Sequence, residues 1–172
     1  MVLPIAAALK QPGEAFSARM QETFPPQEFG GREIAFLAPV TVAFTYSFDG
    51  EAFNLRGRIG AVLSSQCARC SEPFAEPLEI PFAERFVKGA ADPDDDSYAF
   101  EGESMDIRPM VMDNLFLNMP IRSVCREDCK GLCPVCGCNL NTAQCSCAPE
   151  VPVEEPSPLA ALGSLFDDGK EV

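Results

Sequence analysis

The chain has 172 residues, a formal net charge of −13 at pH 7, nine cysteines, and neither histidine nor tryptophan. Without histidine, catalysis through a His base is excluded, Ser–His–Asp and Cys–His arrangements included. The acidic balance disfavours a broad nucleic-acid-binding surface but leaves room for a local basic patch, and the 47% hydrophobic share suffices for one buried core.

From the N-terminus, Met1–Leu9 is apolar but short and lacks a positive n-region, so it is not expected to be a signal peptide. No stretch approaches the ~20 apolar residues of a membrane span. The expected compartment is therefore the cytoplasm, where clustered, reduced cysteines bind metal. Met1–Leu9 and Phe16–Met20 are expected to add strands to a sheet whose main run starts at Val40. There Val40, Val42, Phe44, Tyr46 and Phe48 alternate at period two, the mark of a strand with one buried face. Asp49-Gly50 follows, a hairpin signal because both residues tolerate positive φ. The return run places Phe53, Leu55, Gly57, Ile59, Ala61 and Leu63 on one face. A third run, Phe74–Val87, carries Leu78, Ile80 and Phe82 at period two, with Pro73, Pro77 and Pro81 marking an edge or broken strand.

The acidic loop 89–104 has no periodicity. Asp92–Asp106 holds seven acids and no base, a run read as solubilising. Asp106 is expected to cap a helix with Pro109 in its first turn and Pro120 beyond its end. Ile107, Met110, Val111, Asn114, Leu115 and Leu117 recur at helical spacing. The helix is apolar on nearly every face, so it should be well buried against the sheet, its methionines serving as core. The expected fold is α+β: an antiparallel β-meander packed against one buried helix, with a small C-terminal zinc-ribbon-like module. The expected divisions are a core at 1–120, a Cys-rich zinc module at 121–148, and a Pro/Glu linker with a short amphipathic segment at 149–172.

The module reads Cys125-Arg-Glu-Asp-Cys129-Lys-Gly-Leu-Cys133-Pro-Val-Cys136-Gly-Cys138-Asn-Leu-Asn-Thr-Ala-Gln-Cys145-Ser-Cys147. Cys133-Pro-Val-Cys136-Gly has zinc-knuckle spacing: two intervening residues turn both thiolates toward one ion, backbone amides point at the sulfurs, and glycine completes the turn at positive φ. Few apolar residues stand nearby, so Zn2+ binding, worth roughly 10–16 kcal/mol in zinc-finger peptides, is the expected source of order. The ligand set that spacing favours is Cys129, Cys133, Cys136 and Cys147, with Cys125 and Cys145 as alternates and Cys138 as the spare thiol. A second pair, Cys67-Ala-Arg-Cys70, lies at a hairpin end. It is open to three readings: two ligands of a zinc shared with the C-terminal cluster, a redox dithiol, or a structural remnant without metal. The redox reading is weakened because no helix follows to lower the first thiol's pKa.

Cys67-Ala-Arg-Cys70-Ser-Glu-Pro-Phe74 resembles the C-x-R-C-x-x-x-F motif of the bacterial YceD family, the large ribosomal RNA subunit accumulation proteins. Asp106-Ile-Arg-Pro to Leu117-Asn-Met-Pro120 is similar to that family's helix. Cys129-Lys-Gly-Leu-Cys133-Pro-Val-Cys136-Gly-Cys138-Asn-Leu-Asn141 resembles its zinc-type variant, and Pro158-Leu-Ala-Ala-Leu-Gly-Ser-Leu165 its C-terminal signature. Cys138 stands where the family usually has a small residue, and Asp167-Asp168 where bases are common. The resemblance implies a non-enzymatic ribosome-biogenesis factor supporting accumulation or assembly of large-subunit (23S) ribosomal RNA. Its partner would be the large-subunit ribosomal RNA precursor or a basic ribosomal protein, with no membrane and no small-molecule substrate. The residues offered to that partner are Arg56, Arg58, Arg69 and Lys88, joined by Arg122, Arg126 and Lys130. The alternatives are a zinc-ribbon protein-interaction adaptor without a direct RNA role, and a thiol-based enzyme or redox sensor.

Overall fold

Period-two alternation generates the sheet in this computed structural model, which describes residues 1–29, 31–89 and 96–147. In β5 (Val40–Phe48) Val40, Val42, Phe44 and Tyr46 are buried while Thr41, Ala43, Thr45 and Ser47 face away. β6 (Ala52–Gln66) answers with Phe53, Leu55, Ile59, Ala61 and Leu63 on the same inner side. One flank of β6 pairs along its length with β7 (Pro73–Lys88). The other takes β5 and then β4 (Arg32–Phe36), end to end. β2 (Ala15–Glu22) lies outside β5, and β3 (Gln27–Phe29) outside β4. β8 (Ser97–Phe100) adds in parallel to the end of β7. A second, two-stranded sheet joins β1 (Val2–Pro4) to β9 (Ser104–Asp106). The described residues thus form mostly antiparallel sheet with two short helices, an α+β fold. Residues 90–95 of the expected acidic loop, and 148–172 with the linker and amphipathic segment, lie outside the described residues.

The expected strand at Phe16–Met20 lies inside β2. Met1–Leu9 instead divides into β1 and a single helical turn, α1 (Ala6–Leu9). Its Ala-Ala-Ala-Leu run contains no β-branched residue to hold the chain extended. The β5–β6 turn also departs from a two-residue hairpin. Only Gly50 has positive φ, +103°. Asp49 Oδ1 accepts the N–H groups of Glu51 and Ala52 at 2.9 and 2.8 Å. The Ala52 and Glu51 amides hold the Asp49 carboxyl down at about 2, so this clamp persists across the physiological pH range.

Pro73, Pro77 and Pro81 recur every four residues, so their missing N–H groups fall on one edge of β7. The unbroken ladder to β6 places that edge outward, away from β6. Along residues 73–81 that edge cannot accept another strand, and β8 pairs with β7 only beyond the last proline, at 85–88.

α2 (Arg108–Leu117) has Ile107 at its N-cap, with no side-chain capping bond, and not the expected Asp106. Asp106 stands one residue earlier, its Oδ1 accepting the Arg108 N–H at 3.0 Å, and Pro109 lies in the first turn. Met110, Val111 and Leu115 are buried, and Asn114 spans from its own helix to β7 by donating to Glu84 Oε1 at 2.8 Å. The expectation that nearly every face is buried fails at the C-terminal end. Leu117 is 84% exposed and Ile121, just past the helix, 96%. Among the described residues, no helix is long and apolar enough to cross a membrane.

Gly57 sits on the inner face between Phe44 of β5 and Phe82 of β7. With no side chain between them, the two rings close to 6.3 Å between centroids. A Cβ at position 57 would meet the Ala43 carbonyl oxygen and the Phe44 backbone inside contact distance, and neither can yield without moving β5. Gly57→Ala is expected to destabilise the fold by about 2–3 kcal/mol, lowering Tm by roughly 4–12 °C. Thermal unfolding followed by circular dichroism checks this; an unchanged Tm would show that β5 yields freely.

Candidate metal centres

Two turns of nearly the same design prepare the thiols. At the β6–β7 tip the Cys67 N–H donates to Glu72 O and the Ser71 N–H to Cys67 O, both at 2.9 Å. In the C-terminal segment the Cys133 N–H donates to Cys138 O at 2.8 Å and the Gly137 N–H to Cys133 O at 2.9 Å. The residue that closes each turn has positive φ, +60° for Ser71 and +72° for Gly137. Cys67–Cys70 and Cys133–Cys136 are therefore both knuckles, with serine occupying the glycine position of the first.

Each knuckle meets a second cysteine pair. Cys67 and Cys70 gather with Cys125 and Cys129, and Cys133 and Cys136 with Cys145 and Cys147, the four sulfurs of each group lying within 4.8 Å of one another. Either group could hold a metal ion. All nine cysteines are free thiols. Cys67 Sγ is 3.8 Å from Cys129 Sγ, and Cys70 Sγ is 3.8 Å from Cys125 Sγ, well beyond the ~2.05 Å of a disulfide. The upstream group is the more enclosed: Cys67, Cys70 and Cys129 are buried, whereas in the downstream group only Cys133 is.

The expected set of Cys129, Cys133, Cys136 and Cys147 is thus divided. Cys129 belongs to the upstream group, beside Cys125, and Cys145 takes the fourth downstream place. The reason is steric. Three residues separate Cys129 from Cys133, and within them Gly131 turns at φ +77° while the Leu132 N–H donates to Arg69 O at 3.0 Å. The chain is pinned to the hairpin tip there, which keeps Cys129 with Cys67 and Cys70. Cys138 belongs to neither group.

Local electrostatics favour one thiolate in each knuckle. The Cys125, Cys70 and Arg69 N–H groups point at Cys67 and bring its thiol down to about 5. The Cys136 and Val135 N–H groups bring Cys133 down to about 6. Burial and neighbouring Cys67 push Cys125 up to about 12, and Cys136 does the same to Cys138 and Cys147. Four packed sulfurs thus resist full ionisation on their own, a balance that a central divalent cation inverts.

A polar shell fastens the segment to the sheet. Arg69 Nη1 donates to the carbonyls of Glu127 and Cys129, each at 3.0 Å. Asn141 Nδ2 donates to Cys129 Sγ at 3.3 Å, while Asn141 Oδ1 accepts the Lys130 N–H at 2.9 Å and Arg126 Nη2 at 2.8 Å. Burial opposes ionisation of Cys129, but the Asn141 amide and the Gly131 N–H outweigh it and lower that thiol. Glu76 Oε2 accepts both Ser65 Oγ and Ser123 Oγ, joining β6, β7 and the segment. Asn139, Asn141 and Ser71 stand inside the motifs quoted from the sequence, but sequence reasoning gave none of them a role. The only available signal was the Asn-Leu-Asn run just past the second knuckle.

The basic residues expected to face a partner do not form one set. Arg56 and Arg58 project from the outer face of β6. Arg69 is occupied at the thiol cluster. Lys88 stands at the far end of β7, and its parity places it opposite Arg56 and Arg58. Arg122 lines a cleft of about 910 Å³ with Ile34, Leu63, Glu76, Met119 and Ile121. Arg126 pairs with Asp128 at 3.2 Å.

The family model described as large ribosomal RNA subunit accumulation protein YceD matches residues 55–166. An uncharacterized protein of Mycobacterium tuberculosis (strain ATCC 25618 / H37Rv) is 30% identical over 95 residues, 52% of this chain and 46% of that protein. Proteins named large ribosomal RNA subunit accumulation protein YCED homolog 1, chloroplastic, match from Zea mays and Arabidopsis thaliana. The maize protein is 28% identical, covering 64% of this chain and 49% of its own. The Arabidopsis protein is 26% identical, covering 74% and 48%. The chain spans about half the length of these relatives. No solved structure matches.

Arg69→Ala removes two charge-assisted hydrogen bonds from the upstream group without touching a sulfur. In zinc-loaded protein it is expected to weaken metal retention there by about 10–100-fold, leaving the downstream group unchanged. Chelator competition, with the released metal counted in two phases, measures the difference.

Proposed function

The chain belongs to the YceD family of large ribosomal RNA subunit accumulation proteins, and from that premise we propose that it is a non-enzymatic cytoplasmic factor supporting accumulation or assembly of large-subunit (23S) ribosomal RNA, its C-terminal segment held by structural zinc. Family membership across residues 55–166 carries the proposal. The match spans both knuckles and the thiol-rich segment. The partner is the large-subunit ribosomal RNA precursor or a basic ribosomal protein.

Zinc is favoured by the donors themselves. Four thiolates in a tetrahedron suit Zn2+ or iron. With metal–sulfur bonds of about 2.3 Å, a tetrahedral edge is about 3.8 Å, which agrees with the two sulfur separations of 3.8 Å in the upstream group. Cys67, Cys70, Cys125 and Cys129 would hold one ion, and Cys133, Cys136, Cys145 and Cys147 the other. Bound zinc supplies cross-linking energy where Leu132 and Val135 are exposed and little apolar burial is available. A protein-interaction adaptor remains a second reading, favoured by exposed Leu117 and Ile121 beside the 910 Å³ cleft.

Protein purified under reducing conditions is expected to carry two zinc ions per chain by mass spectrometry, falling to one when Cys67 and Cys70 are both serine. Cells lacking the protein are expected to show a lowered 23S to 16S ribosomal RNA ratio, restored by the wild-type chain and not by that double variant. Metal-free wild-type protein would sink the zinc assignment, and an unchanged RNA ratio the functional one.

A further inference from the structure

On β2, β5, β6 and β7, the outward positions carry four arginines and one carboxylate, Glu79. This is unexpected in a chain of net charge −13. Strand pairing sets the arrangement. Arg19 of β2 pairs with Ala43 of β5, and Ala43 with Arg58 of β6, so Arg19 and Arg58 share one row. In the next row Ser17, Thr45, Arg56 and Ala83 line up, and in the next Ala15, Ser47, Asn54 and Arg85. With strands about 4.8 Å apart and about 6.8 Å between alternate residues, neighbouring guanidinium groups are rooted roughly 7–10 Å apart.

Arg19 and Arg56 have no carboxylate within ion-pair distance among the described residues. Arg58 pairs with Glu79 at 3.3 Å with both side chains more than 70% exposed, and Arg85 with Glu51 at 3.7 Å. Exposed pairs of this kind are worth ~0–1 kcal/mol and yield readily to a phosphate. Ala43 and Ala83 keep the face low between the arginines. Beside Arg56 lies a depression of about 100 Å³ lined by Ala15, Thr45, Ser47, Asn54 and Tyr46, the last a buried residue of the inner face. Its hydroxyl and amide side chains and backbone donate and accept hydrogen bonds.

We infer that this outer sheet face is a docking surface for the sugar–phosphate backbone of folded, duplex RNA, with Arg19, Arg56, Arg58 and Arg85 as its phosphate contacts. The inference rests on the ribosomal RNA reading above and names the surface through which it acts. Two observations select the ligand. Arginine donors with hydroxyl and amide neighbours fit phosphates and ribose hydroxyls. No aromatic residue occupies an outward position on these four strands, so the face lacks the stacking platform used for single-stranded bases. The remaining acidic surface repels the polyanion elsewhere and restricts it to this face.

The test uses the full zinc-loaded chain and a fluorescent 20-base-pair RNA duplex, with a single strand of the same length alongside, in anisotropy titrations across salt. The duplex is expected to bind in preference to the single strand. The slope of log K against log salt should lie between about −2 and −4, at roughly 0.9 per phosphate contact. Arg19→Gln with Arg56→Gln should make the slope shallower by about 2. Arg19→Glu with Arg56→Glu should cost roughly tenfold or more in affinity, at unchanged Tm and zinc content. Wild-type duplex affinity in the charge-reversed protein overturns the surface, as does tighter binding of polyglutamate than of duplex, which would assign the face to an acidic protein. Co-sedimentation with large-subunit precursor particles separates the two levels. If the charge-reversed protein still co-sediments, the surface fails and the functional reading stands; if the wild type does not, the functional reading fails.

Discussion

The β6–β7 ladder, running from Ala52↔Val87 to Gln66↔Pro73, is the constraint on which the rest of the molecule depends. Its inner side supplies Phe53, Leu55, Ile59, Phe82 and Phe86 to the core. Its outer side carries Arg56, Arg58 and Arg85. Its tip is the turn that presents Cys67 and Cys70. Because register in a sheet fixes which side every residue faces, one pairing determines the core, the basic face and half of a thiol cluster together. A slip by one residue would exchange the arginines with the leucines and isoleucines.

The tip also explains how a segment with little apolar surface is held in place. Arg69 reaches two carbonyls of the segment through its side chain and accepts Leu132 through its own. Glu76 ties Ser123 to β6 and β7. These bonds converge on the upstream group and leave the downstream group more exposed. The two groups are alike in chemistry but unequal in support: one is built into the sheet, the other hangs from it.

Much of this was legible in the sequence because it rests on local periodicity. The alternation in β5 and β6, the proline edge of β7 and the helix start beside Pro109 all follow from short-range rules. What escaped depends on long-range pairing. Arg19 and Arg85 lie on one face with Arg56 and Arg58 only through the registers of β2 and β7, which periodicity does not supply. The division of the thiols failed for a similar reason. Cys129 stands four residues from Cys133 and 59 from Cys70, so proximity along the chain favoured the wrong neighbour. A better signal was present in the pairing of cysteines: Cys67 with Cys70, Cys125 with Cys129, Cys133 with Cys136 and Cys145 with Cys147, each knuckle needing one further pair. The exposed Leu117 shows the opposite limit, since apolar spacing gives a helix but does not say how much of it another layer covers.

The sequence distance within each thiol cluster has a consequence for how the chain is made. Cys133 to Cys147 emerge within 15 residues of one another, so their group can close as soon as that stretch leaves the ribosome. Cys67 and Cys70 emerge earlier than Cys125, Cys70 by 55 residues. At about 5–20 residues per second, the first knuckle waits roughly 3–11 seconds half-complete, with two thiols and no partners. During that interval the hairpin beneath it has time to zip, because hairpins form in about 1–10 μs. The tip is then a finished template when Cys125 arrives, and the growing chain is captured onto a surface already in place.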